Sequence, residues 1–289
     1  MIVYHSIKDI IEICNSENME FWEVILKADS YERNVPEDES FRTMAGMYDA
    51  MKNADSGYDG NLRSASGLAG GDGAKMQEYN QSGKNICGDF MALVMEKALK
   101  TSESNACMKR IVAAPTAGSC GVIPAVFLSY QEKYNVPDDT MIKAMYVAAG
   151  IGAVITENAY IAGASGGCQA EIGSSSAMAS AGLAYLQGGD AEHIANAAAL
   201  ALKNMLGLTC DPVCGLVEVP CIKRNVIGAV NAISYAQLSM AGIMSAIKPD
   251  EVIDSMRRIG DVLPACLKET SQGGLAVTES AMAVAKGLK

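Results

Sequence analysis

Cysteine is the residue type with the most chemistry to offer in this chain, and there are nine of them. Three, Cys210, Cys214 and Cys221, fall in one short segment, TCDPVCGLVEVPC, and Cys168 stands 42 residues before the first of these. No C-x-x-C pair occurs, so the spacing is neither that of a zinc ribbon nor that of a ferredoxin run. Three thiolates could instead hold a [4Fe–4S] cluster and leave one iron open. An open iron acts as a Lewis acid rather than an electron carrier. Free cysteines are also common as buried apolar side chains in a Met-rich and Ala-rich core, and Cys14, Cys87, Cys107 and Cys266 fit that description. Cys120 and Cys214 lie in loops where either use is open, and spacing alone does not choose between Cys210 and Cys214.

The second chemical feature is a set of glycine-rich loops. SGLAGGDG (66–73), APTAGSCG (114–121) and SGGCQAEIG (165–173) each offer hydroxyls and exposed backbone amides that suit an anion such as a carboxylate. The first is not a Walker loop, and no strand precedes it to make a dinucleotide fingerprint. In the third, Cys168 opens a helical stretch, where the helix dipole favours a thiolate.

These loops need rigid elements behind them. The chain of 289 residues is 49% hydrophobic, 19% charged and only 6% aromatic, with 28 glycines. Small apolar residues let helices approach closely, and no β alternation is present, so an all-α fold is expected. It is read as a compact bundle of small-residue-rich helices whose Gly-rich loops converge on a cluster site. Residues 1–55 form an N-terminal helical layer and residues 56–289 the catalytic domain. Ser6 caps a helix over 7–14, a second suits 17–28, and Pro36-Glu-Asp-Glu starts a third. An extended loop over 55–73 leads to helices over 87–101, from the end of APTAGSCG to 130, 137–155, 168–186, 191–206 and 249–259. A last helix follows Gly274. The uncharged stretch Val226–Ile247 is long enough to span a bilayer. Asn231, Ser234, Tyr235, Gln237 and Ser239 would need partners there, so a buried central helix and no membrane role are expected.

A net charge of −10 and the lack of any basic stripe beyond Lys223-Arg224 argue against nucleic acid. The start of the chain lacks a signal-peptide pattern, and an odd number of cysteines points to a reducing, cytoplasmic location.

SGLAGGDG, APTAGSCGVIPA, ASGGCQAEIGSSSAMASAGL, NMLGLTCDPVCGLVEVPC and LKETSQGGLAVT occur in this order. The set resembles the alpha subunit of iron–sulfur-dependent L-serine dehydratases (L-serine ammonia-lyases), from about residue 55 to the C-terminus. The resemblance implies an all-helical alpha domain, a [4Fe–4S] cluster on Cys168, Cys210 and Cys221, and no ligand role for Cys214. It also implies deamination of L-serine to pyruvate in amino-acid catabolism, upstream of gluconeogenesis, with a beta subunit as partner in a hetero-oligomer. Ser66, Gly67, Gly70, Gly71, Thr116, Gly118 and Ser165 are the candidates to hold the substrate carboxylate. No residue stands out as the general base. His5 and His193 lie outside every motif, while Glu171 and Lys203 neighbour the cysteine motifs but suit capping or ion pairing equally well. The base is open to coming from the beta subunit. Single-chain relatives of the family can carry a terminal cysteine that reaches the open iron, and this chain ends Lys-Gly-Leu-Lys. Pyridoxal phosphate chemistry would need a Schiff-base lysine motif, which is not seen. Rival readings are a cysteine desulfidase-type cluster lyase, a four-thiolate zinc scaffold that includes Cys214, and an electron carrier.

Overall fold

In the computed structural model, which describes residues 2–288, a helix lies in each region where the sequence predicts one. The helices are α1 (Ile7–Glu17), α2 (Phe21–Arg33), α3 (Glu37–Ser56), α4 (Asp72–Gln81), α5 (Gly88–Ala106), α6 (Val122–Tyr134) and α7 (Asp138–Asn158). They continue as a single turn, α8 (Gly163–Gly166), then α9 (Ser174–Leu186), α10 (Ala191–Lys203), α11 (Cys221–Met240), α12 (Pro249–Val262) and α13 (Glu279–Gly287). The fold is all-α. Among the described residues the one β-type pairing is an isolated parallel bridge between Cys210 and Lys268.

The ends of several helices follow from local chemistry. Ser6 accepts the Asp9 N–H at 3.0 Å and Asp190 accepts the His193 N–H at 2.9 Å, each satisfying a donor that the first helical turn leaves free. Helix α2 begins at Phe21 rather than near Glu17. Asn18 takes a left-handed conformation that closes α1, and Glu20 and Glu23 form a reciprocal capping box that opens α2.

Helix α9 is the centre of the molecule, packed against α6, α7, α10 and α11. Its sequence, SSSAMASAGLAYL, is buried on all sides up to Ala184, which only small side chains permit at this helix density. Gly182 lies so close to the Phe127 ring of α6 that no side chain fits there. Buried serines tie α9 to its neighbours: Ser175 donates to the Ala114 carbonyl at 2.8 Å and Ser176 to the Gly228 carbonyl at 2.8 Å. One continuous apolar core runs from Ile7 of α1 to Met256 of α12.

Two expectations need correction. The uncharged stretch Val226–Ile247 is not one buried helix. Helix α11 stops at Met240, and it buries one face while Ile227 (54% exposed) and Leu238 look outward. Its polar residues explain the arrangement, because Asn231 donates to Ser176 at 2.8 Å and Ser239 to the His193 carbonyl at 2.8 Å. The helix long and apolar enough to cross a membrane is α7 instead, and 67% of its apolar window is buried against the rest of the protein. The other correction is α4, which lies where no helix is expected. Its own apolar pattern is weak, and it is held by a tertiary contact described below.

Candidate active site

Three cysteines from two distant segments meet near the N-terminal ends of α9 and α11. Cys168 stands on the turn that precedes α9. Gly167 makes that turn with φ +79°, a backbone region that suits glycine, and a side chain there would press on Leu263 at 2.8 Å and on the Leu208 carbonyl at 3.0 Å. The chain then winds through a π-helical turn, Gln169–Gly173, before the regular turns of α9 begin. Such turns insert one extra residue and re-aim the side chains they carry. Cys221 is the first residue of α11, and Cys210 lies in the loop before it. All three thiols are buried, whereas Cys214 is exposed.

The thiols face one another. Burial pushes the Cys168 thiol up to about 11, while the Arg224 guanidinium draws it back. Cys221 is pushed up to about 12, by burial first and then by the charges of Cys168 and Glu171. Cys210 is raised further still, by burial and then by Cys168, Glu171, Glu269 and Cys221. The helix dipole expected to favour a Cys168 thiolate is thus outweighed by desolvation. Cys214 is not among the groups that act on any of them. Among the described residues no three Cys, His, Asp or Glu side chains close on a position for a single ion.

Polar side chains fix the loops that carry these thiols. Gln169 receives the Gly207 N–H at 2.8 Å and donates to the carbonyls of Gly166 at 2.9 Å and Met256 at 3.1 Å, locking the Cys168 loop to the Cys210 loop and to α12. Asn225 accepts the Gly121 N–H at 2.9 Å and donates to the Gly118 carbonyl at 2.8 Å, locking the APTAGSCG loop to the first turn of α11. Arg224 donates to the Thr209 carbonyl and to Asp211, both at 2.7 Å, and its charge acts on the Cys168 thiol. The C-terminal motif LKETSQGGLAVT closes the other side. The Cys210 N–H donates to the Leu267 carbonyl at 2.9 Å, the Glu269 N–H to the Cys210 carbonyl at 2.7 Å, and the Leu275 N–H to Asp211 at 2.8 Å.

Glu171 projects from the π-helical turn into this space. Its carboxylate accepts the Thr116 hydroxyl at 2.9 Å. A side chain at Gly118 would sit 3.3 Å from both of its oxygens, and one at Gly163 would sit 3.0 Å from Oε2 and 2.6 Å from the Cys210 sulfur. Burial, more than any other influence, raises its pKa. Thr116 and Gly118 therefore lie with Glu171 and the thiols, at the centre of the site.

The other carboxylate-binding candidates are placed differently. The Ser66 hydroxyl donates to Glu218 at 2.5 Å, and Ser64 donates to the same oxygen at 2.9 Å. The Gly67 N–H is taken by the Ser64 carbonyl. Gly70 and Gly71 lead into α4, whose first amides are already occupied: Glu103, 1% exposed, accepts the N–H groups of Asp72 at 2.8 Å and Gly73 at 3.0 Å and the Tyr58 hydroxyl at 2.6 Å. An internal carboxylate holds the anion position at this helix start. Ser165 belongs to the short turn α8 and its side chain is exposed. The Glu103 contact carries a stability prediction. Glu103→Ala strands these buried donors and costs about 1–3 kcal/mol in urea denaturation, with hydrogen exchange speeding up over residues 70–75; Glu103→Gln loses less.

His5 pairs with Glu157 at 2.6 Å and His193 with its own cap residue Asp190 at 2.7 Å, both on the surface, and Lys203 donates to Ser245 at 3.1 Å. None of the three is among the groups that act on the thiols. Sequence reasoning missed Gln169, Arg224, Asp211 and Asn225 as the residues that assemble the site. Asn225 did carry a signal, being a polar residue at the head of an apolar stretch.

The serine dehydratase alpha chain family matches residues 16–276. The chain is 44% identical over 277 residues to a probable L-serine dehydratase alpha chain of Bacillus subtilis, covering 96% of this chain and 92% of that one. It is 40% identical over 274 residues to the L-serine dehydratase alpha chain of Peptoniphilus asaccharolyticus, covering 93% of this chain and 92% of that one. The L-serine dehydratase TdcG of Escherichia coli is 45% identical over 202 residues, which are 68% of this chain and 44% of that longer protein. With a family match over most of its length and relatives of this similarity, the chain belongs to the serine dehydratase alpha chain family.

Proposed function

We propose that the chain is the alpha subunit of an L-serine ammonia-lyase, with Cys168, Cys210 and Cys221 holding a [4Fe–4S] cluster and a beta subunit completing the enzyme. The observation that carries this reading is the meeting of three buried thiols from two distant segments beside the half-buried Glu171 carboxylate, in a chain close to L-serine dehydratase alpha chains. Ligands that each take a different iron do not need to converge on one point, so the lack of a single-ion site among the described residues does not speak against a cluster. The exposure of Cys214 speaks against a four-thiolate zinc scaffold. With three protein thiolates, such a cluster leaves one iron free to stabilise the charge that develops on a departing hydroxyl oxygen.

The chain's own residues do the rest. Arg224 offsets part of the negative charge of the thiolates, while its pairing with Asp211 keeps it in place. The C-terminal segment that pairs with Cys210 shields the site from water, which strengthens every charge interaction within it. Thr116 holds the Glu171 carboxylate, which lies beside the Cys210 thiol. Overall, loss of the Cα proton and of the hydroxyl as water gives aminoacrylate, which tautomerises and hydrolyses to pyruvate and ammonia. Free thiols and such a cluster both call for the reducing cytoplasm.

The test is anaerobic iron and sulfide analysis, joined to pyruvate release from L-serine and from L-cysteine. About four irons per chain with serine the better substrate supports the reading. Zinc, or no metal in an oxygen-free preparation, overturns the cluster, and a strong preference for cysteine converts the assignment to a desulfidase.

A further inference from the structure

Glu171 is a half-buried carboxylate with no cation of its own. Among the described residues it forms no ion pair, and the nearest guanidinium, Arg224, is committed to Asp211 and the Thr209 carbonyl. A buried charge left this way is costly unless something positive completes it. Its surroundings are arranged to hold it rather than to neutralise it. The Thr116 hydroxyl fixes its orientation. Two glycines from different loops, Gly118 and Gly163, pack closely on its oxygens, and a methyl group at either would lie within 3.3 Å of the carboxylate; at Gly163 it would also press on the Cys210 sulfur at 2.6 Å, which places the carboxylate beside that thiol.

An anchored carboxylate without an ion pair, next to the thiols, fits a small cation that hydrogen-bonds. We propose that Glu171 is the subsite for the α-ammonium group of the amino-acid substrate and so sets the preference for amino acids over the matching hydroxy acids. This inference rests on the serine-lyase reading above. It gives Glu171 a binding role: the ammonium completes the charge of the carboxylate and orients the substrate, with its hydroxyl directed toward the thiol side.

The test uses the anaerobic holoenzyme and two probes, L-serine and L-glycerate, which carries a hydroxyl where serine carries the ammonium. Dissociation constants are read from the visible or EPR change of the cluster, alongside KM and kcat and the iron content of each variant. Glu171→Gln is expected to weaken L-serine about 30- to 100-fold in Kd and KM, with L-glycerate unchanged or tighter. Thr116→Val, a milder change that keeps the Glu171 carboxylate but frees it, is expected to weaken L-serine by a smaller factor. Loss of kcat in Glu171→Gln with serine Kd unaltered overturns the proposal in favour of a proton-transferring role. Equal weakening of both probes, or loss of iron, overturns it in favour of a structural one. A wild-type enzyme that neither binds nor deaminates L-serine sinks the serine-lyase reading itself, a result distinct from any of these.

Discussion

Replacing any one of Cys168, Cys210 and Cys221 by serine is expected to abolish bound iron and serine turnover, whereas Cys214→Ser keeps both. The contrast is sharp because Cys214 shares a segment with two of the others but not their environment. Cys210, Cys214 and Cys221 share one short segment, yet only the first and last are buried against Cys168. Cys214 takes a left-handed conformation, φ 58°, that turns it out of the site. A hydroxyl is a poor ligand for iron in place of a thiolate, and a cubane short of one protein ligand is easily lost. Iron content, sulfide content and pyruvate release, all measured without oxygen, check this directly. A Cys214→Ser protein that loses its metal would favour the four-thiolate zinc reading. Alkylation of the metal-free chain gives a parallel check: the exposed Cys87 and Cys214 label first, and the three buried thiols label only on unfolding.

The second large effect is expected at Arg224. Arg224→Met should lower the stability of the metal-free chain by about 3–5 kcal/mol, because it strands a buried carboxylate. Asp211 is 4% exposed, and Arg224 is the cation that pairs with it. The same substitution frees the Thr209 carbonyl, one residue before Cys210, and removes the positive charge that draws the Cys168 thiol down. Cluster retention should therefore fall as well. Arg224→Lys keeps the charge but cannot reach the carbonyl and the carboxylate together, so an intermediate loss is expected. Urea denaturation with and without iron separates the two effects. A stability unchanged in Arg224→Met would mean that Asp211 finds its compensation elsewhere, in the Leu275 amide that it also accepts.

Much of this protein was legible in its residues alone. An all-α fold followed from an Ala-rich and Gly-rich composition without β alternation, and helix starts at Ser6, Pro36 and Asp190 followed from capping chemistry, because these depend on neighbours a few residues away. The order of five glycine-rich and cysteine-rich segments identified the family. Local pattern did not reveal α4, whose start is stabilised by Glu103 from another helix, nor the end of α11 at Met240. The end of α11 is closed locally by Gly242 in a left-handed conformation, whereas pairing between distant residues, invisible to periodicity, decides α4. The same holds for the site. Sequence pointed to cysteines in loops and to hydroxyls nearby, but the amides beside Gly70 and Gly71 look available for a ligand only until Glu103 is seen to occupy them. Tertiary structure alone decided that Glu171 faces the thiols rather than capping a helix, that Arg224 is part of the site rather than a stray surface charge, and that burial outweighs the helix dipole at Cys168. The physical reason is common to all three. Charge and desolvation act through space over a few ångströms, and which groups stand that close is set by how the helices pack, not by their order along the chain.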